Sequence, residues 1–326
     1  MARKLRVESE GGIYHVISRG NYRADVFRAD QTKQAFLKCL DEACAKTGWR
    51  VHAWCLMSNH YHLALETPGA NLAGGMRWLQ GTFAVRFNRL RAERGHLFQG
   101  RYKSLMVDPD EGLGPLCHYI HLNPVRAKIC SMLKLADWCW SSLFWITHPK
   151  CRLPWFSPET ALRHAGTLAD TSTGRRKYLS YLDWLQEDQP AQKAFKFDTM
   201  STGWAIGSMA FKKELVAEHR DAAAALKRGD RETAELAEAV RQDALTAALG
   251  QIGKNRADLI RDGKSEPWKV ALAVALKRQT IATNRWLGEN LNLGALHEVS
   301  RKVSSWSQRS DASLDQVLRN TTIHKV

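Results

Sequence analysis

The chain has no CxxC pair. Its seven cysteines lie singly between Cys39 and Cys151, an odd set without metal-ligand spacing, which argues against a zinc ribbon or a disulfide framework and suits a reducing compartment. No run of apolar residues approaches the roughly 20 that a membrane span needs. The first residues, MARKLRVESEGG, lack the apolar stretch of a secretory signal. A cytoplasmic protein with no membrane partner is expected. Internal repeats and long low-complexity tracts are also missing. Acidic residues are in deficit, 33 Asp and Glu against 48 Lys and Arg, leaving a formal charge of +15. Such an excess suits a polyanionic partner, nucleic acid first, although a merely basic soluble protein has the same composition.

What is present fills more than one domain, since 326 residues can bury two or three separate cores. Ile13 to Ser18 alternates loosely and ends in the turn residues Arg19, Gly20 and Asn21, which reads as a strand. Asp30 is expected to cap a helix with Phe36, Leu37, Leu40, Ala43 and Cys44 at helical spacing and Gly48 beyond its last turn. Two strand-like runs around Met57, Ser58 and Asn59 read as a hairpin. Asn71 is expected to cap a second helix striped by Leu72, Met76, Leu79, Phe83, Phe87 and Leu90, with Gly95 as its expected end. A strand from Tyr102 to Val107 then leads to Asp108 and Pro109, which are expected to open a third helix. The order predicts an α+β fold, an antiparallel sheet with helices packed on one face. Three regions are expected: residues 1–148 as catalytic domain, 149–200 as helical connector and 201–326 as a helical C-terminal DNA-binding domain.

His60 and His62 stand two apart on a strand, so both imidazoles leave the same sheet face. That spacing suits one metal ion, although strand histidines are commonly just hydrogen-bonded. Tyr119 and Asn123 stand four apart on the third helix, so a phenol and an amide oxygen share a side. Two imidazoles and one oxygen leave open positions on Mg²⁺ or Mn²⁺. Packing by Tyr119 and capping by Asn123 fit the same spacing. His15, His52, His96, His118 and His121 lack a partner at defined spacing and are read as packing, hydrogen-bonding or surface residues.

The segments YHVISRGN, WCLMSNHYHLAL, LFQGRYKS and YIHLNPVRA, in this order, resemble the IS200-like Y1 (HUH) transposases and, among them, the REP-associated tyrosine transposases. The resemblance covers roughly residues 11 to 145. It implies a ferredoxin-like HUH core, His60, His62 and Asn123 as metal ligands, and Tyr119 as nucleophile. It also implies cleavage and rejoining of single-stranded or hairpin DNA at repetitive palindromes through a 5′-phosphotyrosine. Related enzymes more often carry glutamine where Asn123 stands. A water-using, metal-dependent nuclease and a non-catalytic DNA-binding regulator stay open beside this activity, as do monomer and homodimer.

Around these residues Arg19, Asn21, Arg86, Arg89, Arg101 and Lys103 are candidates for contact with the DNA backbone, and Trp78 and Tyr102 for base stacking. Near 270–306 the order helix, helix, turn, helix resembles a helix-turn-helix. Thr283 would cap one helix, Gly294 would make the turn, and Leu296 to Trp306 would carry Ser300, Arg301 and Ser304 toward a groove. An ordinary helical hairpin has the same pattern.

Overall fold

The structure, a computed structural model, describes residues 8–218, 231–280 and 282–306. A first compact unit spans Arg6–Lys212 and a second begins at Lys213. In the first, strands β1 (Gly12–Arg19), β2 (Arg50–Leu56), β3 (His60–Thr67), β4 (Lys103–Val107) and β5 (Ala205–Ile206) form one sheet in the order β2-β3-β1-β4-β5. The pairings β2 with β3, β3 with β1 and β1 with β4 are antiparallel; the short edge pairing of β4 with β5 is parallel.

Helices α1 (Asp30–Thr47) and α2 (Leu72–Arg91) cover the face toward which Tyr61 points. The Tyr61 ring packs on Phe36 of α1 at 4.7 Å, its hydroxyl accepts from Gln80 of α2, and Phe36 meets Phe83 edge-on. Helix α3 (Leu113–Arg126) lies on the opposite face, where Tyr119 meets His62. The α+β expectation of an antiparallel sheet with helices holds, with two differences: helices cover both faces, not one, and β5 adds a parallel edge. Alternating side chains make both faces of β3 apolar enough to need cover, with Tyr61, Leu63 and Leu65 on one and His62 and Ala64 on the other, all buried.

Helix ends differ from the sequence pattern where side chains found other work. Gly48 ends α1 in the left-handed conformation as expected, its φ of 72° being unstrained only in glycine. Ala92, not Gly95, takes the left-handed position after α2. Asp108 and Pro109 open a turn and not the helix: Asp108 Oδ1 accepts from the amides of Asp110 and Glu111, and α3 begins only at Leu113.

Behind α3 lies a chain of buried polar groups reaching α4 (Ser142–Thr147), α5 (Glu159–His164) and α6 (Ser172–Glu187). The Tyr178 hydroxyl is 2.9 Å from His118 Nδ1 and 2.8 Å from His121 Nδ1. His118 Nε2 meets His164 Nδ1 at 3.0 Å, and His121 Nε2 meets Ser142 Oγ at 2.8 Å. Ser142 in turn spans the backbone N–H and carbonyl of Trp54 on β2. Gly114 makes room for this arrangement, because a Cβ there would collide with the His164 ring. The helices after residue 148 are thus stitched to α3 and β2, and β5 completes the sheet edge, so contacts do not divide the chain at 148 or at 200.

The second unit has its own core, in which Leu245, Leu249, Leu259, Leu272, Leu276, Trp286, Leu287, Leu291, Leu293 and Val299 are buried together. Its helices include Pro267–Gln279, Asn284–Asn290 and Leu296–Trp306. Thr283 caps the second of these by accepting from the Trp286 amide, and Gly294, with a φ of 96°, turns the chain before the third. No helix among the described residues is long and apolar enough to cross a membrane.

Candidate active site

Strand register assembles the site. Ile17 pairs with His62, Arg19 with His60 and His15 with Ala64, while Lys103 pairs with Ile17 from the other side. Paired residues share a face, so His15, Arg19, His60, His62 and Lys103 stand together on the face that α3 covers. The His60 and His62 rings lie 5.0 Å apart between centroids, and His62 stacks on His15 at 5.1 Å. From α3 the Tyr119 ring meets His62 at 5.9 Å and His15 at 6.2 Å, edge-on in both cases.

These rings are held by specific hydrogen bonds. His15 Nδ1 donates to the Met200 carbonyl at 2.8 Å, and His15 Nε2 is 2.9 Å from His62 Nδ1. His60 Nδ1 is 2.7 Å from Asn59 Oδ1, and Asn59 Nδ2 donates to the Arg23 carbonyl. Burial, with Arg19 nearby, pushes His60 down to about 4; burial likewise lowers His15 to about 4, with Lys103 adding to it. His62 is lowered well below its ordinary value by burial first, then by His15, His60 and Arg19. All three imidazoles are therefore neutral at pH 7, the form that donates an electron pair to a metal.

Tyr119 is buried at 9 % exposure, and its hydroxyl shares a 3.1 Å hydrogen bond with Ser201 Oγ. Arg126, one helical turn beyond Asn123, stacks its guanidinium 5.4 Å from the Tyr119 and Phe197 rings. Asn123 shares this side of α3 with Tyr119; its Nδ2 is buried without a hydrogen-bond partner. Turning that amide therefore breaks no bond at Nδ2 and can present its oxygen to a cation. Among the described residues no three His, Cys, Asp or Glu side chains gather as a metal-holding group. Two imidazole nitrogens and an amide oxygen are donor types that a divalent cation accepts.

The remaining expected site residues separate. Arg19 is exposed beside His60, Asn21 is half-buried with its amide on the Leu97 carbonyl, and Lys103 is half-buried. Arg89 and Arg101 are exposed. Arg86 is drawn away from a DNA role, since both its terminal nitrogens grip Glu42 of α1, at 3.0 and 2.8 Å. Tyr102 is buried and Trp78 half-buried under Lys46, whereas Tyr22, in the short 3-10 helix Asn21–Arg23, is 93 % exposed. Arg301, Ser300 and Ser304 are exposed on the last helix, while Val299 points into the core of the second unit. Sequence reasoning missed His15, Arg126, Phe197, Met200 and Ser201. Only His15 carried a local signal, its alternation in phase with Ile17 and Arg19 along β1.

A family model of IS200-like transposases matches residues 9–123. No curated protein matches the sequence. Among solved structures, a REP-associated tyrosine transposase bound to a REP hairpin is similar at 15% identity, covering 48% of this chain and 92% of its own, with a TM-score of 0.39. A putative transposase from Deinococcus radiodurans R1 is similar at 21% identity, covering 40% of this chain and 91% of its own, with a TM-score of 0.27. Likenesses this distant carry no argument about function. The family match is confined to residues 9–123, a segment similar to the IS200-like transposases.

Proposed function

We propose that this chain cleaves and rejoins single-stranded DNA at hairpin-forming repeats, with Tyr119 as nucleophile and with His60, His62 and Asn123 holding Mg²⁺ or Mn²⁺. The observation that carries the reading is the approach of Tyr119 to His62 across the helix–sheet interface, 5.9 Å between rings. It brings the Tyr119 phenol of α3 beside the neutral imidazoles of His62 and His15. When bound, the cation would polarise the scissile phosphate and stabilise charge gathering on it.

The Tyr119 oxygen attacks the phosphorus and gives up its proton. A tyrosyl O–P bond forms, the P–O3′ bond breaks, and the departing 3′ oxygen takes up a proton to become a hydroxyl. Because a phosphodiester is exchanged for another, a 3′-hydroxyl can reverse the step and rejoin strands without ATP. Arg126, stacked on the tyrosine ring, Arg19, beside His60, and Lys103, on the same sheet face, are cations available to the phosphate oxygens. The hairpin substrate is inferred from the ordered motifs of the sequence. The last helix of the second unit, with Arg301 exposed, is proposed as a second contact to DNA.

The test is Tyr119→Phe, which removes the hydroxyl and keeps the ring. With a library of single-stranded hairpins and Mn²⁺, the wild-type chain should form a covalent adduct that peptide mapping locates at Tyr119. The variant should bind metal and DNA yet form no adduct and no nick. Persistent metal-dependent nicking by folded Tyr119→Phe would overturn the mechanism in favour of a water nucleophile, and an adduct on another tyrosine would overturn the assignment.

A further inference from the structure

His15 is buried on the candidate face and is neither a proposed ligand nor a nucleophile, yet both of its ring nitrogens are engaged. Its partners dictate where protons sit. A carbonyl oxygen only accepts, so the His15 nitrogen 2.8 Å from Met200 O carries the hydrogen. His15 has no exposed surface, and a charged ring there would be costly, so it has no second proton. His15 Nε2 is therefore a bare lone pair, and it faces His62 Nδ1 at 2.9 Å. Two lone pairs cannot share that distance. His62 Nδ1 must carry the proton, which leaves His62 Nε2 bare.

The second ring reaches the same state by another route. Asn59 Nδ2 donates to the Arg23 carbonyl at 3.3 Å, which fixes the amide with its oxygen toward His60. Asn59 Oδ1 can only accept, so the His60 Nδ1 at 2.7 Å is the donor and His60 Nε2 is bare. An unconstrained neutral histidine in water prefers its proton on Nε2, the nitrogen that a cation would need here. Both rings are held in the less favoured tautomer, each by a different partner.

We propose that His15 and Asn59 are positioning residues that hold His62 and His60 as Nδ1–H tautomers, keeping both Nε2 nitrogens free of protons. The value of this to the protein rests on the metal reading above, because a bare Nε2 is what a divalent cation takes. The His15 arm also ties the site to residue 200, since the relay starts at the Met200 carbonyl.

The tautomers are read by two-bond ¹⁵N–¹H correlation on the full, metal-free chain labelled in histidine, with His60 and His62 assigned from their alanine variants. Wild type should show the Nδ1–H pattern for both rings. His15→Phe, which keeps an aromatic ring but no acceptor, should move His62 toward Nε2–H, whereas His15→Gln, whose amide can still accept from His62, should keep Nδ1–H. Asn59→Leu should release His60 and leave His62 unchanged. Mn²⁺ affinity should fall about 10- to 100-fold in His15→Phe and much less in His15→Gln. An Nε2–H pattern for His62 in wild type, or an unchanged His62 tautomer in folded His15→Phe, overturns the proposal. If His15→Phe does not fold, the wild-type spectrum decides by itself. Nδ1–H tautomers in a wild-type chain that binds no Mn²⁺ would support the positioning role while overturning the metal reading.

Discussion

A histidine pair two residues apart is legible in a sequence because a strand repeats every two residues, so His60 and His62 must share a face wherever the sheet sits. Replacing both by alanine should abolish Mn²⁺ binding measured by titration calorimetry; a double variant that binds like wild type would remove these residues from the metal proposal. The arginines were less legible, since sequence shows charge and not its partner. Arg86 grips Glu42, with 39% of its side chain and 30% of Glu42's exposed, an ion pair that contributes at most about 1 kcal/mol. Arg19 stands exposed beside the histidines. Arg19→Ala should therefore weaken single-stranded DNA binding and lower the slope of log affinity against log salt by about 0.7, as loss of one phosphate contact does. Arg86→Ala should leave that slope where it was, and an equal fall in both variants would return Arg86 to the DNA surface.

At the scale of the element, α3 carries the whole burden of placing Tyr119. Its apolar spacing was readable, but its start was not, because Asp108 spends its oxygens on the turn at Asp110 and Glu111 and on Ser208, 100 residues away. Nor could the sequence show that His118 and His121 meet at one hydroxyl, Tyr178, from a helix more than fifty residues downstream. Tyr178→Phe would strand two imidazole nitrogens in the interior and should destabilise the first unit by about 1 to 3 kcal/mol by urea unfolding. A loss below a few tenths of a kcal/mol would mean that the network closes around the gap. The same network has a pH signature. Burial holds His121 near 3 in the folded chain, while the unfolded chain titrates near the ordinary 6.5. Between those values the unfolded state binds the extra proton, so stability is full above about 6.5 and is lost as pH falls toward 3, by at most about 1.4 kcal/mol per pH unit for each such ring. The urea midpoint should drop between pH 7.5 and pH 5; a constant midpoint would show that these rings protonate without cost.

For the whole molecule, the informative experiment is where the chain can be cut. The boundary expected between residues 200 and 201 falls where Met200 anchors His15, Ser201 bonds Tyr119, and Ala205–Ile206 adds a strand to β4. A chain ended at Glu218 should keep Mn²⁺ binding and Tyr119 adduct formation while losing affinity for longer hairpins, and a chain ended at residue 199 should lose both activities. Equal activity of the two truncations would show that the segment is dispensable. The sequence by itself determined the α+β order of elements, the face shared by His60 and His62, the side shared by Tyr119 and Asn123, and the basic charge that suits DNA, because each follows from periodicity or composition along a few consecutive residues. Only the tertiary structure decided that α3 crosses the face opposite α1 and α2, that His15 stacks on His62, and that Phe197, Met200 and Ser201 meet Tyr119 and His15. Those facts depend on strand register and on contacts between residues 47 to 185 positions apart, and no local pattern records which distant group will satisfy a buried polar atom.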